Sequence, residues 1–312
     1  MVLRLATRRS PLALWQAEHV GALLKAAHPG LHVELVTVST EGDRRQDVAL
    51  SEIGGKGVFA TEVQAAVIDG RADAAVHSAK DLPAVTGEGL QLAAVPERGD
   101  PRDALVGSTL ADLAPGAVVA TGSARRRAQL AALRPDLRFA ELRGNMATRL
   151  ARAGEFDAIV VASVAFERLG LAEHLSDVLD ERTMIPQVAQ AALAVECRLG
   201  DSGTAALLAS IEHAPSRLRV NAERAFLAEL GGDCTLPAGA HAAFEDGDVD
   251  GVLVLRGMLA TDVGGRMAVQ QRQAPVAALD PPAAAESLGR DLAAALAAEL
   301  GADTHGELEE GR

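Results

Sequence analysis

The chain has 312 residues, of which 48% are hydrophobic and only 2% aromatic, and its formal net charge is −13. This composition is typical of a water-soluble globular protein, and the length is sufficient for two or three domains. The acidic excess argues against general binding of nucleic acid, because proteins that bind polyanions carry a basic excess.

The sequence shows no sign of export, of a membrane span or of a metal site. Two cysteines, Cys197 and Cys234, are too few for a disulfide scaffold, and no paired cysteines or clustered histidines have the spacing of zinc ligands. The N-terminal residues lack the apolar stretch of a secretion signal, and no run of 18 apolar residues occurs. We therefore expect a cytoplasmic protein without a metal, and we expect a monomer.

The first hundred residues alternate short β-branched segments with longer amphipathic ones, which is typical of an α/β fold with a largely parallel sheet. Ser10 and Pro11 predict a helix start, because Ser is a favoured N-cap and Pro is favoured at the first helical position. The predicted elements are strands at residues 2–6, 33–39, 74–77 and 90–95 and helices at residues 10–27 and 59–70.

A proline- and glycine-rich stretch at residues 96–101 interrupts this pattern and predicts a crossover between domains. The α/β alternation then resumes, and a late apolar strand at residues 192–196 indicates that the chain returns to the first lobe. The elements predicted in between are strands at residues 118–121, 137–141 and 158–162 and helices at residues 124–133, 147–153 and 166–169.

The last hundred residues combine a helix, three alternating strands and a closing Ala/Leu-rich helix, which predicts a smaller α+β domain. These elements are expected at residues 216–230, 238–244, 252–259, 266–271 and 283–300. We thus predict three domains, formed by residues 1–96 with 192–212, by residues 102–186 and by residues 214–312.

The densest chemical signal lies between residues 121 and 152, where eight arginines and two acids give a local charge of +6 in a chain of −13. An arginine pair taken alone is more often a solvated helix face. However, strand-to-helix turns line the ligand crevice of open α/β sheets, and helix N-termini with guanidinium groups bind anions. The candidate residues at these turns are Ser123, Arg125, Arg126, Arg143, Asn145 and Arg149.

Two earlier loops carry similar side chains. Arg8 and Ser10 lie between the first predicted strand and the first predicted helix. Lys56, one of only three lysines, lies in a Gly-Gly-Lys-Gly loop. The spacing of a phosphate-binding P-loop is absent around Lys56, which leaves an anion-contacting lysine as the interpretation.

Residues 77–83, His-Ser-Ala-Lys-Asp-Leu-Pro, concentrate polar groups at the end of a short apolar strand. An exposed ion pair between Lys80 and Asp81 would contribute little to stability. A carboxylate at a cleft can instead move protons or stabilise a developing cation, next to a lysine that binds an anion. Asp81 is therefore a candidate catalytic residue, and His77 is interpreted as a packed, hydrogen-bonded residue.

The two cysteines differ in their surroundings. Cys197 belongs to an apolar strand pattern, which predicts a buried and inert thiol. Cys234 lies in a glycine-rich loop, where an exposed nucleophile or a covalent attachment point would be placed.

In combination, these segments resemble the porphobilinogen deaminase (hydroxymethylbilane synthase) family. His-Ser-Ala-Lys-Asp-Leu-Pro and the Leu-Arg-Gly-Asn of residues 142–145 are its most specific motifs here. The resemblance covers nearly the whole chain, through residues 4–17, 54–59, 71–83, 100–104, 142–150 and 234–239.

The resemblance implies an α/β protein of two periplasmic-binding-protein-like lobes plus a small C-terminal α+β domain. It also implies a transferase of tetrapyrrole and heme biosynthesis, which condenses four porphobilinogen molecules with loss of ammonia onto a dipyrromethane cofactor. Hydrolysis then releases hydroxymethylbilane. Cys234 matches the residue that holds this cofactor through a thioether, and Asp81 matches the catalytic aspartate.

The same resemblance implies two sets of residues that bind the carboxylate-bearing ligands. The cofactor set, besides Cys234, is Ser78, Lys80, Ser123, Arg125, Arg126, Arg143 and Asn145. The substrate set is Arg8, Ser10, Lys56, Arg149, Arg168 and Gln190.

The chain departs at three places from the sequence that is usual in the family, and the first is Ser163-Val164-Ala165, which replaces an Ala-x-Ala-Gly-like run before Arg168. Ala189 and Ala191 flank Gln190 where Gly-Gln-Gly is common, so we expect a left-handed backbone to be disfavoured there. Asp233 precedes Cys234 where Gly is frequent, and an acid beside a thiol disfavours the thiolate. This predicts slower attachment of the cofactor.

Two other functions remain open on the residues alone. A non-catalytic two-lobed anion receptor or effector domain would need neither Asp81 beside Lys80 nor a cysteine loop in an appended domain. A thiol- or acyl-transfer enzyme would use Cys234 as its nucleophile, but the sequence shows no histidine placed to pair with this cysteine.

Overall fold

The computed structural model describes residues 1–40, 60–231, 236–245, 251–262, 264–278 and 283–301. It consists of two compact units, Met1–Gly99 with Ala191–Arg217 and Asp100–Gln190 with Leu218–Arg312. Lys56, Asp233 and Cys234, singled out in the sequence, lie outside the described residues. The division of the chain into three domains stays a prediction.

The first unit is built on a five-stranded sheet in the order β2-β1-β3-β10-β4. Strand β1 is parallel to β2 and β3, whereas β10 runs antiparallel between β3 and β4. The late strand predicted at residues 192–196 is confirmed as β10. The elements of this first lobe are β1 (Val2–Arg8), α1 (Pro11–Ala27), β2 (His32–Val38), α2 (Thr61–Ile68), β3 (Ala74–Ser78), β4 (Leu90–Ala94), β10 (Leu193–Arg198) and α6 (Ser202–Ala209).

Apolar clusters cover both faces of this sheet. On one face Leu5, Val20 and Leu24 pack together, and on the other Ala6, Val63 and Val67 do so. Because aromatic residues are scarce, alanine, valine and leucine fill these cores. Helix α1 begins as predicted, with Ser10 as its N-cap and Pro11 at its first position.

The second lobe, in the second unit, has a sheet in the order β7-β6-β8-β5-β9. Strands β6, β7 and β8 are parallel, and β5 runs antiparallel beside β8. Strand β5 was not predicted, because its four residues follow directly on the proline- and glycine-rich stretch. The elements of this second lobe are β5 (Asp103–Val106), β6 (Val118–Ala120), α3 (Ala124–Leu133), β7 (Arg138–Ala140), α4 (Met146–Ala151), β8 (Ala158–Ala162), α5 (Ser163–Arg168) and β9 (Asp177–Val178).

The remainder of the second unit is a three-stranded antiparallel sheet with two long helices. Glycines allow close packing here: a Cβ on Gly257 would lie 2.9 Å from Leu292 Cδ2, and one on Gly289 would collide with the carbonyl oxygen of Ala222. The elements are α7 (Ala214–Glu229), β11 (Ala238–Glu245), β12 (Val252–Ala260), β13 (Met267–Pro275) and α8 (Ala283–Leu300).

The predicted α/β fold class, with two α/β lobes and a small C-terminal α+β domain, is confirmed. Both five-stranded sheets place three parallel strands beside one antiparallel strand in equivalent positions. One expectation was wrong. Ala189 and Ala191 do adopt the left-handed backbone, with φ of 56° and 70°, although neither is glycine. Hydrogen bonds to neighbouring groups, described below, hold this segment in place.

Candidate active site

The first cluster of site residues lies where β1 and β3 end. These strands are parallel neighbours, so the turns that follow them meet at the same edge of the sheet. Arg8 ends β1 and Ser10 caps α1, while Ser78 ends β3 and is followed by a short 3-10 helix, Ala79–Asp81, which carries Lys80 and Asp81. The Arg8 Nη1 and Asp81 Oδ2 atoms are 3.9 Å apart, and both side chains are partly exposed. The structure thus brings together the predicted catalytic carboxylate and a predicted ligand-binding arginine.

A recess of about 50 Å³ lies within this first cluster and is lined by Arg8, Ser10, Ser78 and Asp81, among others. Gln16 also lines the recess and donates from Nε2 to Ser78 Oγ at 2.8 Å. Sequence reasoning missed Gln16. The available signal was a polar residue on the buried face of α1, between Ala13 and Ala17.

His77 also lines the recess and is buried, as its place beside the strand predicts. Its Nε2 lies 3.1 Å from Glu196 Oε2 on β10, and that carboxylate oxygen also accepts from Gln64 Nε2 at 2.8 Å. His77 and Glu196 are both almost completely buried. Cys197, the next residue on β10, is buried, and burial raises the pKa of its thiol, in agreement with the predicted inert cysteine.

The second cluster lies in the second lobe, at the N-terminus of α3. Ser123 is the N-cap and its Oγ accepts from the Arg126 amide at 3.4 Å. Arg125 and Arg126 follow in the first turn, and both side chains are buried. Cations at a helix N-terminus oppose the helix dipole, so an anion is required nearby.

Asp103 provides that anion within the protein. Its buried carboxylate accepts from Arg125 Nη2 at 2.6 Å and from Arg126 Nη2 at 2.7 Å. Burial alone raises the pKa of Asp103, but the two guanidinium groups outweigh it and hold the pKa well below its usual range. Sequence reasoning missed Asp103. The signal was an acid at the first position of an apolar segment, within the Asp-Pro-Arg-Asp-Ala motif.

Gln190 belongs to the same cluster. It is fully buried, and its Nε2 donates to the Pro101 carbonyl oxygen at 2.6 Å and to Asp103 Oδ1 at 2.9 Å. The neighbouring Ala189 amide donates to Glu223 Oε2 at 2.6 Å. These bonds fix the segment in which the two alanines have positive φ.

The second strand-to-helix turn of this lobe precedes α4. Asn145 is its N-cap and accepts from the Thr148 amide at 2.9 Å. Arg149 Nε donates to the carbonyl oxygen of Gly144 at 2.9 Å, and Gly144 has a φ of +106° that a side chain would strain. Arg143 Nε lies 3.3 Å from Glu141 Oε1, whose other oxygen pairs with Arg127.

Ion pairs in the folded protein offset part of the local charge of +6 that residues 121–152 carry. Acids from outside residues 121–152 pair with its arginines: Asp103 with Arg125 and Arg126, and Glu155 with Arg152. Arg134 is bound by Asp136. Counting along the sequence overstated the excess, because ion pairs form between residues that are neighbours only in space. Fewer guanidinium groups of residues 121–152 are therefore without an acidic partner than the sequence count indicates.

Arg168 ends α5 and is partly buried. Burial lowers the pKa of its guanidinium to about 10. A desolvated cation of this kind gains more from a carboxylate ligand than an exposed one does.

Within the part of the chain that the structure describes, no group of three or more His, Cys, Asp or Glu side chains is arranged to hold a metal ion. Nor is any helix of those residues long and apolar enough to cross a membrane.

The fold defines a two-lobed α/β protein with an appended small α+β domain, in which arginine side chains lie at the strand-to-helix turns of both lobes. Residues 3–206 match the family model of the porphobilinogen deaminase dipyrromethane cofactor binding domain, and residues 217–298 match that of the porphobilinogen deaminase C-terminal domain. The chain belongs to the porphobilinogen deaminase family, which consists of transferases of tetrapyrrole biosynthesis.

A porphobilinogen deaminase of Nitratidesulfovibrio vulgaris is 46% identical over 300 residues, which are 95% of this chain and 93% of the relative. Among solved structures, the effector binding domain of BenM is 16% identical with a TM-score of 0.39, over 67% of this chain and 90% of that domain. The periplasmic aliphatic sulphonate binding protein SsuA from Escherichia coli is 18% identical with a TM-score of 0.37, over 63% of this chain and 61% of that protein.

Proposed function

We propose that the chain condenses four porphobilinogen molecules, one at a time and with loss of ammonia, onto a covalently bound dipyrromethane, and then releases hydroxymethylbilane by hydrolysis. The observation that carries this proposal is the juxtaposition of Asp81 and Arg8 at the ends of β1 and β3, in a chain of this family. A carboxylate and a guanidinium at one recess suit a substrate that develops positive charge while it carries carboxylates.

The residues of the second cluster fit a dipyrromethane that bears carboxylate side chains. The Nε of Arg125 is buried and, among the described residues, has no hydrogen-bond partner. Such a donor favours an additional acceptor, because a buried unpaired N–H group costs about 1–3 kcal/mol. We propose that Cys234 forms the thioether to this cofactor. Its glycine-rich loop and its place within the matched C-terminal domain support the assignment.

In the proposed mechanism, Asp81 acts on the charge that forms when ammonia leaves porphobilinogen. Its carboxylate stabilises the positive charge on the pyrrole and accepts a hydrogen bond from the pyrrole N–H group. Bound dipyrromethane would supply the nucleophilic free pyrrole carbon, and the hydrogen on that carbon would leave as a proton. Arg8, next to Asp81, binds a substrate carboxylate and thereby holds the pyrrole over the catalytic group.

The proposed roles of the other residues follow from their charge and capping geometry. Ser123 and Asn145 are the N-caps of α3 and α4. The N-terminus of a helix attracts anions, which suits the binding of carboxylates there. Guanidinium groups bind carboxylates through two parallel hydrogen bonds. The cofactor carboxylates are assigned to Ser78, Lys80, Ser123, Arg125, Arg126, Arg143 and Asn145, and the substrate carboxylates to Arg8, Ser10, Lys56, Arg149, Arg168 and Gln190.

Intact mass spectrometry of the purified protein tests the cofactor assignment. We expect the wild-type protein to carry an added mass of two pyrrole rings and the variant Cys234→Ser to carry none. Cys197→Ser is the matched control, since its thiol is buried, and it should keep the added mass. An active wild-type preparation with the unmodified chain mass would refute the assignment.

We further propose that the protein works as a cytoplasmic monomer on a small-molecule substrate, without nucleic acid or membrane as a partner. The net charge of −13 supports the absence of a polyanionic partner. Light scattering coupled to size-exclusion chromatography should give the mass of one chain, and a mass of two chains would overturn the monomer.

A further inference from the structure

Asp103 is a buried acid at the start of β5. It differs from Asp136 in the same lobe by the side chains that donate hydrogen bonds to it. Its carboxylate accepts from Arg125 Nη2 at 2.6 Å, from Arg126 Nη2 at 2.7 Å and Nε at 3.1 Å, and from Gln190 Nε2 at 2.9 Å. These three side chains are all proposed ligand-binding residues. Asp136, in comparison, pairs with Arg134, which has no proposed role.

The summed charge of Arg125, Arg126 and Asp103 is positive and favours the binding of one more anion. Two guanidinium groups and one carboxylate sum to a charge of +1, buried where the effective dielectric constant is low. Asp103 therefore neutralises half of the positive charge and leaves the other half for a ligand carboxylate. Without it, two adjacent buried cations would repel each other.

Hydrogen bonds on other sides complete the fixation of both guanidinium groups. Arg126 Nη1 donates to the Val160 carbonyl oxygen at 3.0 Å on β8, and Arg125 Nη1 donates to the Ile185 carbonyl oxygen. Asp103 joins the two arginines by one oxygen each. The direction in which either guanidinium presents its remaining N–H groups thus depends on where this carboxylate sits.

We propose that Asp103 is a positioning residue, which orients Arg125, Arg126 and Gln190 for the carboxylates of the cofactor and the growing product without contacting these ligands itself. This inference rests on the proposed function of the two arginines. A displacement of about 1 Å in a binding group can lower catalytic efficiency by about 100-fold, so a small error in this carboxylate has a measurable effect.

The test compares Asp103→Asn and Asp103→Glu with Asp136→Asn, a matched loss of an Arg-bound carboxylate in the same lobe. For folded protein of each variant, established by circular dichroism and thermal unfolding, the fraction that carries the cofactor mass is measured together with kcat and KM for porphobilinogen. Asp103→Asn should lower kcat/KM by about 100-fold, mainly through KM and cofactor loading. Asp103→Glu keeps the charge and should lose about tenfold, and Asp136→Asn should stay within about twofold of wild type.

A merely structural Asp103 would lower the amount of folded protein but leave loading and KM of the folded molecules unchanged, and that result overturns the proposal. If Asp103→Asn does not fold, Asp103→Glu decides, because a folded Asp103→Glu protein with wild-type KM and loading overturns it equally. Wild-type protein without cofactor or ammonia release would instead refute the proposed function.

Discussion

Ala189 and Ala191 show how a single residue's backbone can be held against its own preference. A left-handed conformation costs an L-residue about 1–2 kcal/mol relative to glycine. At Ala189 the bond from its amide to the buried Glu223 outweighs this cost, and the adjacent Gln190 is tied to Asp103. The strain therefore lies next to residues proposed to bind ligand, where strained backbone is often found.

Replacing Ala189 by glycine should raise stability. The gain from relieved strain exceeds the entropy lost with glycine, so we expect an increase of about 0.5–1 kcal/mol in the free energy of unfolding. Urea unfolding measures it. Ala192→Gly is the control, because Ala192 is also buried but its φ is not positive. This variant should lose stability, since glycine gains nothing there and loses more backbone entropy on folding. Equal losses in both variants would contradict the prediction.

In the proposed mechanism Asp81 stabilises the positive charge that forms on the substrate. Its replacement should therefore lower the rate of turnover without changing the stability of the fold. Asp81→Asn keeps the size of the side chain but removes the charge that stabilises the developing cation, and a lost group of this kind costs about 100- to 1,000-fold in kcat. Its thermal unfolding should match that of wild type, because Asp81 is partly exposed. Ammonia release at the wild-type rate would contradict the assignment.

The helices of the described structure differ in how they pack, and their glycines reveal it. On α8, Gly289 touches α7, and a Cβ there would collide with the Ala222 carbonyl oxygen. On α6, Gly203 faces open space, and the nearest atom to a Cβ would be Asp201 Oδ1 at 3.8 Å. The same substitution should therefore have opposite effects on these two elements.

Gly289→Ala should destabilise the protein by about 1–3 kcal/mol, since a packed interface must move to admit the methyl group. Gly203→Ala should stabilise it by up to about 1 kcal/mol, because alanine has the higher helix propensity. Denaturant unfolding of both variants gives the two signs. Stabilisation by Gly289→Ala would show that α7 and α8 do not pack this closely.

At the scale of the whole molecule, ion pairs between arginines and aspartates make stability depend on pH in the acid range. Burial raises the pKa of Asp100 and Asp103, but their arginine partners outweigh it, and both pKa values lie below the usual range. A hydrogen bond from Arg134 lowers the pKa of Asp136 to about 2. A carboxylate with a depressed pKa contributes stability that is present above its unfolded pKa of 3.8 and is lost as the pH falls below that value.

The free energy of unfolding should therefore change little between about pH 5 and 8 and fall steeply from about pH 4 to pH 2. Urea unfolding at a series of pH values tests this course. In Asp103→Asn the decline below pH 4 should be shallower, because one of the carboxylates with a depressed pKa is absent. A wild-type stability that rises on acidification would contradict the ion-pair interpretation.

Local patterns in the sequence determined much of the molecule. Alternation of β-branched and amphipathic segments predicted both α/β lobes, and Ser10 with Pro11 predicted the start of α1, because side-chain periodicity and capping act within a few residues. The motifs likewise singled out Asp81 and Arg8. Strand β5 was missed because it follows closely on the proline- and glycine-rich stretch, and strand β9 and helix α6 were not predicted either.

Only the tertiary structure decided which charges meet. Asp103 lies on strand β5, 22 residues before Arg125 of helix α3, and Glu196 reaches His77 from strand β10, which comes much later in the chain. Likewise, Ala189 and Ala191 keep a left-handed backbone because distant groups bind that segment. Electrostatic and hydrogen-bond energies depend on distance in space, which the order of residues does not specify, whereas helix caps and strand patterns depend on neighbours in the chain.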